Sequence, residues 1–336
     1  MRGRFVTTLD HARALAPAWR RLLQSSGFDD VFGSLEFYEA WWNAFGGHRE
    51  LRIAIWPADG ETRVIAPLFF DRANPRIWRL LGEQRGDYNH VLCAADGSAD
   101  LKSFLAWLRQ EGGWSRLSTR RLPAGTAFAE YHGRLATTTR TRTHPRLTRP
   151  GLNACRDKVE TKHYRAERNW LERRRPVRYE RLPATGMTPG ILNQFMSLHQ
   201  REWHAKGKRS QYEDPSERNF LGGLAQALTK ASGVHLDCLW WGDELVAGHV
   251  GFRWARREYY YKPCYDPDIH RSTGKLLLGY LLSAAAVDNN IDEFDFLNGL
   301  EPYKVQHSSD LRETCAQTIY RTGFEKLLGA VRRRLG

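Results

Sequence analysis

The sequence predicts an α/β fold of two domains, each a mixed, mostly antiparallel sheet flanked by helices. At 336 residues the chain is too long for one ordinary hydrophobic core, and its 41% hydrophobic content and 12 Trp are enough to fill two. Strand-like and helix-like segments alternate in both halves, which is typical of α/β units. A Thr- and Arg-rich stretch at 136–151, with two prolines, separates the halves as a linker or an edge strand. We therefore expect domains at residues 1–140 and 141–336.

The sequence of the first half predicts two helices, then four strands, then a helix and a strand. An amphipathic pattern predicts a helix over 12–23. Ser34 before an apolar run and Gly46-Gly47 after it predict a helix over 34–44. The remaining elements expected in this half are strands at 51–56, 64–70, 77–81 and 90–93, a helix at 99–110 and a strand near 116–119.

The second half repeats this pattern around a predicted antiparallel hairpin. Gly242-Asp243 lies between two apolar runs, 235–241 and 244–254, and fits a two-residue hairpin loop. A third strand at 258–264 leads through a loop into an apolar helix over 274–288. The other elements expected here are a basic helix at 154–174, a strand at 177–182, helices at 189–205 and 215–231, and a short buried strand at 294–297.

The cysteines and the apolar runs of the sequence indicate in which compartment the protein works and whether it binds a metal. The five cysteines are scattered, with no CxxC and no metal-ligand spacing, which favours buried thiols in a reducing compartment and no metal cofactor. The longest nearly apolar run, 276–287, is shorter than the about 20 residues that a bilayer span needs, so no transmembrane segment is expected. No secretory signal opens the sequence. We expect a cytoplasmic protein.

The net charge of +13 is concentrated in mid-chain. Residues 134–181 contain 15 Lys/Arg against 5 Asp/Glu. Such a segment favours an anionic partner or a solvated helix face. Because acidic residues are interleaved with the cations, the pattern favours a solvated face over a nucleic-acid groove. Nucleic acid is therefore an unfavoured partner, although tRNA stays open. The basic, amphipathic stretch 331–335 is also compatible with peripheral contact to a membrane.

A basic, glycine-containing loop opens the apolar helix of the second half. The backbone N–H groups at the start of a helix lack intrahelical partners, and their dipoles favour an anion such as phosphate. The loop matches neither the Walker A nor the GxGxxG spacing, so an ordinary capped helix remains the alternative. The candidate anion-binding residues of the loop are His270, Arg271, Ser272, Thr273, Gly274 and Lys275.

The order of these elements resembles the core of the GNAT acyltransferases. An antiparallel strand pair, a basic loop with a glycine, a helix and a following strand occur there in this sequence. In that superfamily the loop amides hold the pyrophosphate of coenzyme A. Arg271, Gly274 and the residues between them fall on the superfamily's R/Q-x-x-G-x-G/A pattern, with Leu276 where the second Gly/Ala would stand. The resemblance implies tandem GNAT-like domains and an acyl-CoA co-substrate, most simply acetyl-CoA.

A second resemblance covers the stretch after that helix. Residues 294–299 (FDFLNG) and 301–304 (EPYK) resemble the FDFLxGxEPYKxxW segment of the cellulose-biosynthesis acetyltransferase family (CelD/BcsL type), which is related to the FemAB-type aminoacyltransferases. Shorter matches occur in the same order from about residue 30, including 34–37, 66–68 and 201–203. The resemblance implies transfer of an acyl group to a sugar, amino sugar or small amine, in exopolysaccharide or cell-envelope assembly.

The residue types around this motif suit acyl transfer, which needs a base, oxyanion stabilisation and an acid for the leaving thiolate. Glu301 is the candidate base, because desolvation beside a buried strand would raise its pKa. Tyr303 is the candidate proton donor, and Lys304 would balance negative charge. Asp295 alternates with two phenylalanines and so faces the opposite side of its strand. A helix-starting Glu-Pro with an exposed Lys is the structural alternative.

Candidate acceptor-binding residues lie in both halves. His204 is more typical of a helix face than of a general base. The full set is Asp87, Tyr88 and Asn89 in the first half and Trp203, His204 and Tyr212 in the second. Two other functions stay open: an aminoacyl-tRNA-dependent transferase of the FemAB type, and a non-catalytic RNA- or polyanion-binding protein on a GNAT scaffold.

Overall fold

The computed structural model describes residues 2–229, 233–269 and 272–335, the last four by their backbone alone. Within these ranges the chain has thirteen strands and eleven α-helices. The strands are β1 (Arg4–Val6), β2 (Arg49–Trp56), β3 (Val64–Asp71), β4 (Asn74–Leu80), β5 (Leu92–Cys93), β6 (Arg116–Pro123), β7 (Ala136–Thr148), β8 (Val177–Pro183), β9 (Val234–Trp241), β10 (Glu244–Trp254), β11 (Arg257–Tyr265), β12 (Glu293–Asp295) and β13 (Asp310–Tyr320). The helices are α1 (Leu9–Arg13), α2 (Ala16–Ser25), α3 (Leu35–Phe45), α4 (Ser98–Gln110), α5 (Arg149–Asn153), α6 (Lys162–Glu172), α7 (Pro189–Ala205), α8 (Pro215–Ala227), α9 (Thr273–Val287), α10 (Pro302–His307) and α11 (Gly323–Leu335).

The chain divides into two compact units that differ from the expected domains at one end. Unit 1 comprises Met1–Arg142 together with Arg312–Gly336, and unit 2 comprises Thr143–Leu311. The first boundary lies two residues from the expected division at 140/141. The last 25 residues belong to unit 1, because β13 pairs with β6 through Ile319 opposite Leu117 and Cys315 opposite Leu122. Long-range strand pairing of this kind leaves no local mark in the sequence.

Unit 1 is built on a sheet in the order β1-β2-β3-β4-β6-β13, with β5 paired to β3. Its pairs are antiparallel except β4 with β6. Four buried tryptophans, Trp56, Trp78, Trp107 and Trp114, share the core on which α4 packs. The Ser34 hydroxyl accepts the N–H of Phe37 and caps α3, and Gly46 ends that helix. The helix expected over 34–44 is therefore found with its predicted cap.

Unit 2 has the sheet order β7-β12-β11-β10-β9-β8. Its pairs are antiparallel except β11 with β12. The hairpin predicted at Gly242-Asp243 is present, since Trp241 pairs with Glu244. The apolar α9 packs on one face of the sheet and buries five of its leucines: Leu276, Leu277, Leu278, Leu281 and Leu282. The predicted class, mixed mostly antiparallel sheets flanked by helices, is confirmed.

Two segments differ from the secondary structure expected for them. The stretch expected as a linker or edge strand is the long strand β7, which pairs with β12. The basic helix expected over 154–174 is interrupted, because a 3₁₀ turn at Lys158–Glu160 and the extended Thr161 precede α6. Among the described helices, none is long and apolar enough to cross a bilayer.

Candidate functional site

Strands β11 and β12 pair briefly and then separate. Their parallel register runs only from Arg257 opposite Glu293 to Tyr259 opposite Asp295, whereas β11 continues to Tyr265 and then leads towards α9. Among the described residues, the β11 backbone beyond the last pair has no neighbouring strand on that side, so its polar groups must bond elsewhere. We call this opening, from Tyr260 to Tyr265 on β11 and from Phe296 onward after β12, the wedge.

A β-bulge lies at the start of the wedge. Val250 pairs with Lys262 and Phe252 with Tyr259, so two residues of β11, Tyr260 and Tyr261, stand opposite Gly251 alone. The displaced Tyr261 N–H donates to Nε2 of His249 at 3.2 Å. Because that nitrogen accepts, the other carries the proton, and His249 Nδ1 donates to Asp237 Oδ2 at 3.0 Å. A buried histidine thus fixes the bulge.

Three aromatic rings pack around Tyr260 in the wedge. Its ring stacks on His249 at 4.7 Å between centroids and meets Phe296 at 6.0 Å and Tyr303 at 6.3 Å. Burial raises the pKa of Tyr303, and Glu301 and Glu202 raise it further. Tyr303 is nevertheless 37% exposed. Its phenol therefore keeps its proton at neutral pH and remains accessible from outside.

The FDFLNGLEPYK stretch forms a turn that is tied to itself and to β7. Asp295 Oδ1 accepts the N–H of Leu297 at 2.8 Å, and Leu297 has a left-handed backbone with φ +61°. The Asn298 side chain accepts from the Thr143 hydroxyl at 2.9 Å. Gly299 has φ +124°, and a Cβ there would lie 2.3 Å from a carboxylate oxygen of Glu301. The motif residues hold Tyr303 against Tyr260.

The expected catalytic residues of this turn fall into different environments. The Glu301 side chain is 52% exposed and pairs with Lys304 at 3.2 Å, so the desolvation expected for it is not found. The buried Lys304 also donates to the Asn298 carbonyl at 2.9 Å, and this bond braces the turn. Asp295 is fully buried, with one oxygen bonded inside the turn. Glu301 and Tyr303 are the accessible members of the set.

Glu202 on α7 completes the far side of the wedge. It is buried, Oε2 accepts the Tyr265 N–H at 3.2 Å, and Oε1 accepts from Lys206. Its charge contributes to the raised pKa values of Tyr260 and Tyr303. The sequence had singled out Glu202 only as part of a short family match. Its distance of 63 residues from Tyr265 explains why pattern alone did not assign it to the site.

The start of α9 lacks a side-chain cap in the described part of the chain. The Ser272 side chain makes no cap, and the Thr273 hydroxyl turns inward to the Val246 carbonyl at 3.1 Å. A Cβ on Gly274 would lie 3.0 Å from Cδ1 of Tyr265, so the glycine lets the helix approach the end of β11. The expected ligands His270 and Arg271 lie outside the described residues.

A basic cluster surrounds this helix start. The ammonium groups of Lys275 and Lys158 lie 5.8 and 5.9 Å from the ring centroid of Tyr164, whose hydroxyl lies 3.5 Å from His307 Nε2. Burial, with Lys158 and Lys275, lowers the pKa of His307 to about 4. No ion pair is found for either lysine within the described ranges. Helix dipole and two cations thus favour an anion here.

The expected acceptor residues of unit 2 gather around His199. Trp203 stacks on the His199 ring at 5.4 Å, and the buried Tyr212 meets it edge-on at 4.9 Å. His199 Nδ1 lies 2.9 Å from the Ser210 hydroxyl. His204 is exposed and pairs with Glu213 at 2.9 Å, which fits the helix-face alternative. Tyr212 therefore packs in the core, whereas Trp203 is partly exposed.

Protonation of His199 should destabilise unit 2. Burial, with Lys262 and Lys206, lowers its pKa to about 4, below the about 6.5 of an unfolded histidine. The neutral form stabilises the fold above about pH 6.5, and this contribution is lost as the pH falls towards 4. We expect the free energy of unfolding in urea to fall less steeply from pH 7 to 4.5 in His199→Gln. The exposed His163→Gln should keep the wild-type slope, and an unchanged slope in His199→Gln would contradict the assignment.

The three candidates of unit 1 are held within that unit. Asp87 lies 3.4 Å from Arg121. Tyr88 is fully buried and its hydroxyl accepts from Arg312 at 3.3 Å. Asn89 is buried and donates to the Arg120 carbonyl at 2.9 Å. Their side chains stabilise the turn before β5, and Asp87 is the most accessible of them.

A buried polar network crosses the unit 2 sheet beside the bulge. His235, Asp237 and His249 each have an atom that could ligate a metal ion, and these three atoms lie within 4.8 Å of one another. Both nitrogens of His249 and both oxygens of Asp237 are occupied by hydrogen bonds, which accounts for the cluster as a network. Arg181 joins it, donating to Asp237 at 2.7 Å and to Glu258 at 2.8 Å.

Several arginines of the basic mid-chain segment are engaged by other groups of the protein. Arg149 donates to the carbonyls of Ala285, Ala286, Asp288 and Ile291 and so caps the C-terminal end of α9. Other arginines of the segment pair with carboxylates: Arg140 with Glu130 and Glu313, Arg146 with Glu293 and Asp310, Arg168 with Glu160, and Arg181 with Asp237 and Glu258. These five arginines serve folding and so give no support for a polyanion groove.

Comparison with solved structures defines the class of fold. The structure of FemX matches with a TM-score of 0.66 at 11% identity, over 98% of this chain and 100% of that one. L-PGS from Bacillus licheniformis matches with a TM-score of 0.56 at 12% identity, over 95% of both chains. A conserved protein of unknown function from Bacteroides thetaiotaomicron VPI-5482 gives 0.54 at 12%, over 94% of this chain and 99% of that one. At these identities the likeness is one of fold.

The family comparison identifies the domain that contains the site. Residues 159–305 match the acetyltransferase (GNAT) domain family. That range includes α9, the wedge and Tyr303, together with Tyr164 and Lys275 of the basic cluster, whereas Lys158 and His307 lie just outside it. The comparison with curated proteins gave no significant match. The GNAT domain and the shared fold support an acyltransferase.

Proposed function

We propose that the chain is an acyl-CoA-dependent acyltransferase, with acetyl-CoA as the simplest donor, related to the CelD/BcsL-type acetyltransferases. Its acceptor is an amine or hydroxyl of a sugar, amino sugar or small amine, and exopolysaccharide or cell-envelope assembly is the setting that the sequence resemblance implies. The observation that carries the proposal is the start of α9, which Ser272 does not cap, with Lys158 and Lys275 beside it, next to a wedge between β11 and β12.

The proposed donor site follows from charge and shape. The pyrophosphate of the donor binds the first N–H groups of α9, with Ser272, Gly274 and Lys275 and, from the sequence, His270 and Arg271. The pantetheine arm lies in the wedge, where β11 has lost its strand neighbour. The thioester then reaches Tyr260 and Tyr303.

The proposed chemistry uses the two accessible side chains of the turn. Glu301 takes the proton of the acceptor, whose lone pair forms the new bond to the thioester carbonyl carbon. As the C–S bond breaks, Tyr303 gives its proton to the departing thiolate. Lys304 and Asp295 hold the turn in place. For the acceptor, the exposed His204 and the partly exposed Trp203 and Asp87 are the accessible candidates.

Calorimetric titration with acetyl-CoA tests the donor site. We expect micromolar binding by the wild type and a loss of about 100-fold or more in Gly274→Asp, since a carboxylate there opposes the pyrophosphate and meets Tyr265. Gly222→Asp is the matched control, because Gly222 lies in α8 with no atom within 4 Å of its Cβ position.

Two results would argue against the donor. If the wild type does not bind acetyl-CoA or longer acyl-CoAs, the proposal fails and an aminoacyl-tRNA donor becomes the leading candidate. If Gly274→Asp binds acetyl-CoA as tightly as Gly222→Asp does, the donor site is not at the start of α9.

A further inference from the structure

Helix α11 faces unit 1 with its polar and small residues. Glu325 is 10% exposed and pairs with Arg76 at 3.1 Å. Lys326 donates to the Arg134 carbonyl at 2.6 Å. Gly329 lies against Tyr320, since a Cβ there would be 2.7 Å from the phenol oxygen. The helix is thus attached to its unit by an ion pair, a hydrogen bond and a close backbone contact.

The opposite face of α11 is apolar and exposed. Phe324 is 68% exposed, Leu327 63%, Leu328 42% and Val331 47%. Pairs of these residues are three positions apart (324/327 and 328/331) or four (324/328 and 327/331), which places them in one stripe along the helix. A surface helix normally buries its apolar stripe and exposes its polar face, and α11 does the reverse. We call these four residues the α11 stripe.

Positive charge accompanies the stripe. The helix sequence contains Lys326 and three consecutive arginines at 332–334 against the single acid Glu325. A groove of about 510 Å³ lies along the helix, lined by Phe324 and Leu328 and by Arg116 and Arg321, among others. The Nε of Arg321 is buried with no hydrogen-bond partner in the described part of the chain. Apolar side chains and two partly exposed arginines, Arg116 and Arg321, thus meet along one groove.

We propose that the α11 stripe docks unit 1 on the surface of an anionic bilayer. The helix lies in the plane of the interface, with its four apolar side chains in the outer acyl region and the neighbouring cations on lipid phosphates. A second copy of the chain fits less well, because a two-fold contact would bring the same positive charges together. Four side chains also cover far less than the about 800 Å² per partner of a stable interface.

Co-sedimentation with vesicles tests the proposal. We expect the wild type to bind vesicles of phosphatidylglycerol and phosphatidylcholine at low salt, and to bind pure phosphatidylcholine at least about 10-fold more weakly. Leu327→Glu should weaken binding to the mixed vesicles about 10-fold or more, because it removes an inserted side chain and adds a repelled charge. Val287→Glu makes the same kind of change at a lone exposed residue of unit 2, 52% exposed, and should bind like the wild type.

The remaining outcomes would overturn the proposal. No binding of the wild type to the mixed vesicles, or equal binding by Leu327→Glu, means that the stripe does not dock on lipid. Dimers in analytical ultracentrifugation that dissociate in Leu327→Glu would assign the stripe to a second copy. Both variants change exposed residues, so their circular dichroism and their affinity for acetyl-CoA should match the wild type. The test is therefore independent of the proposed enzyme activity.

Discussion

Tyr303→Phe is expected to lower kcat for acyl transfer about 100-fold while KM for the acyl-CoA changes little. General acid catalysis contributes about 100- to 10,000-fold, and the variant removes the proton while keeping the ring against Tyr260. Because burial, Glu301 and Glu202 raise the pKa of Tyr303, the phenol stays protonated well above neutral pH. Its role as an acid should therefore not titrate between pH 7 and 9.

Steady-state kinetics with a thiol-release assay measures this effect once an acceptor is found. Tyr280→Phe is the matched control: its ring stacks on Tyr179 at 5.0 Å in the same unit, outside the wedge. Wild-type turnover in Tyr303→Phe would exclude the tyrosine as the acid. Equal losses in both variants would point to a general effect on unit 2.

Asp237→Asn is expected to cost about 3–5 kcal/mol of stability, the usual cost of removing one partner from a buried charge network. Asp237 is fully buried and accepts from Arg181, Tyr179 and His249. Burial alone would raise the pKa of Asp237, but Arg181 and His235 hold it well below its usual range. The amide also brings two hydrogens to a position surrounded by donors.

Urea unfolding of the full chain measures the loss, with a probe of unit 2 because two units need not unfold together. Asp292→Asn is the control. That carboxylate pairs with Arg256 but is 54% exposed, so its removal should cost at most about 1 kcal/mol. A change below about 1 kcal/mol in Asp237→Asn would show that the network is not a source of stability.

Local chemistry made part of the fold predictable. The Ser34 cap and the Gly242-Asp243 hairpin depend on residues within a few positions of one another, and the structure has both. The uninterrupted apolar run of α9 likewise needs no partner to be recognised. The FDFLNGLEPYK stretch marked the turn that carries Tyr303 in the sequence. Its residues adopt left-handed backbone conformations and form side-chain hydrogen bonds within the turn.

What the sequence did not predict depends on pairing between distant residues. The bulge at Tyr260 follows from the register of β10 and β11, and His249 acquires its partner only when that register is set. Tyr164 meets the start of α9 through a helix that precedes it by more than a hundred residues. Arg149 was counted as surplus charge, although four carbonyls of α9 and the segment after it take up its guanidinium group.

Because β13 belongs to unit 1 but follows unit 2 in the sequence, unit 2 is the first of the two units to be synthesised in full. Every segment of unit 2 has left the ribosome once Leu311 has emerged, whereas unit 1 still lacks the strand that pairs with β6. Domains fold as units when their residues are available. Unit 2 can therefore close first, while β6 keeps an open edge until β13 is made. An open strand edge is a template for wrong pairing, so the nascent chain is most exposed to misassembly in its N-terminal part.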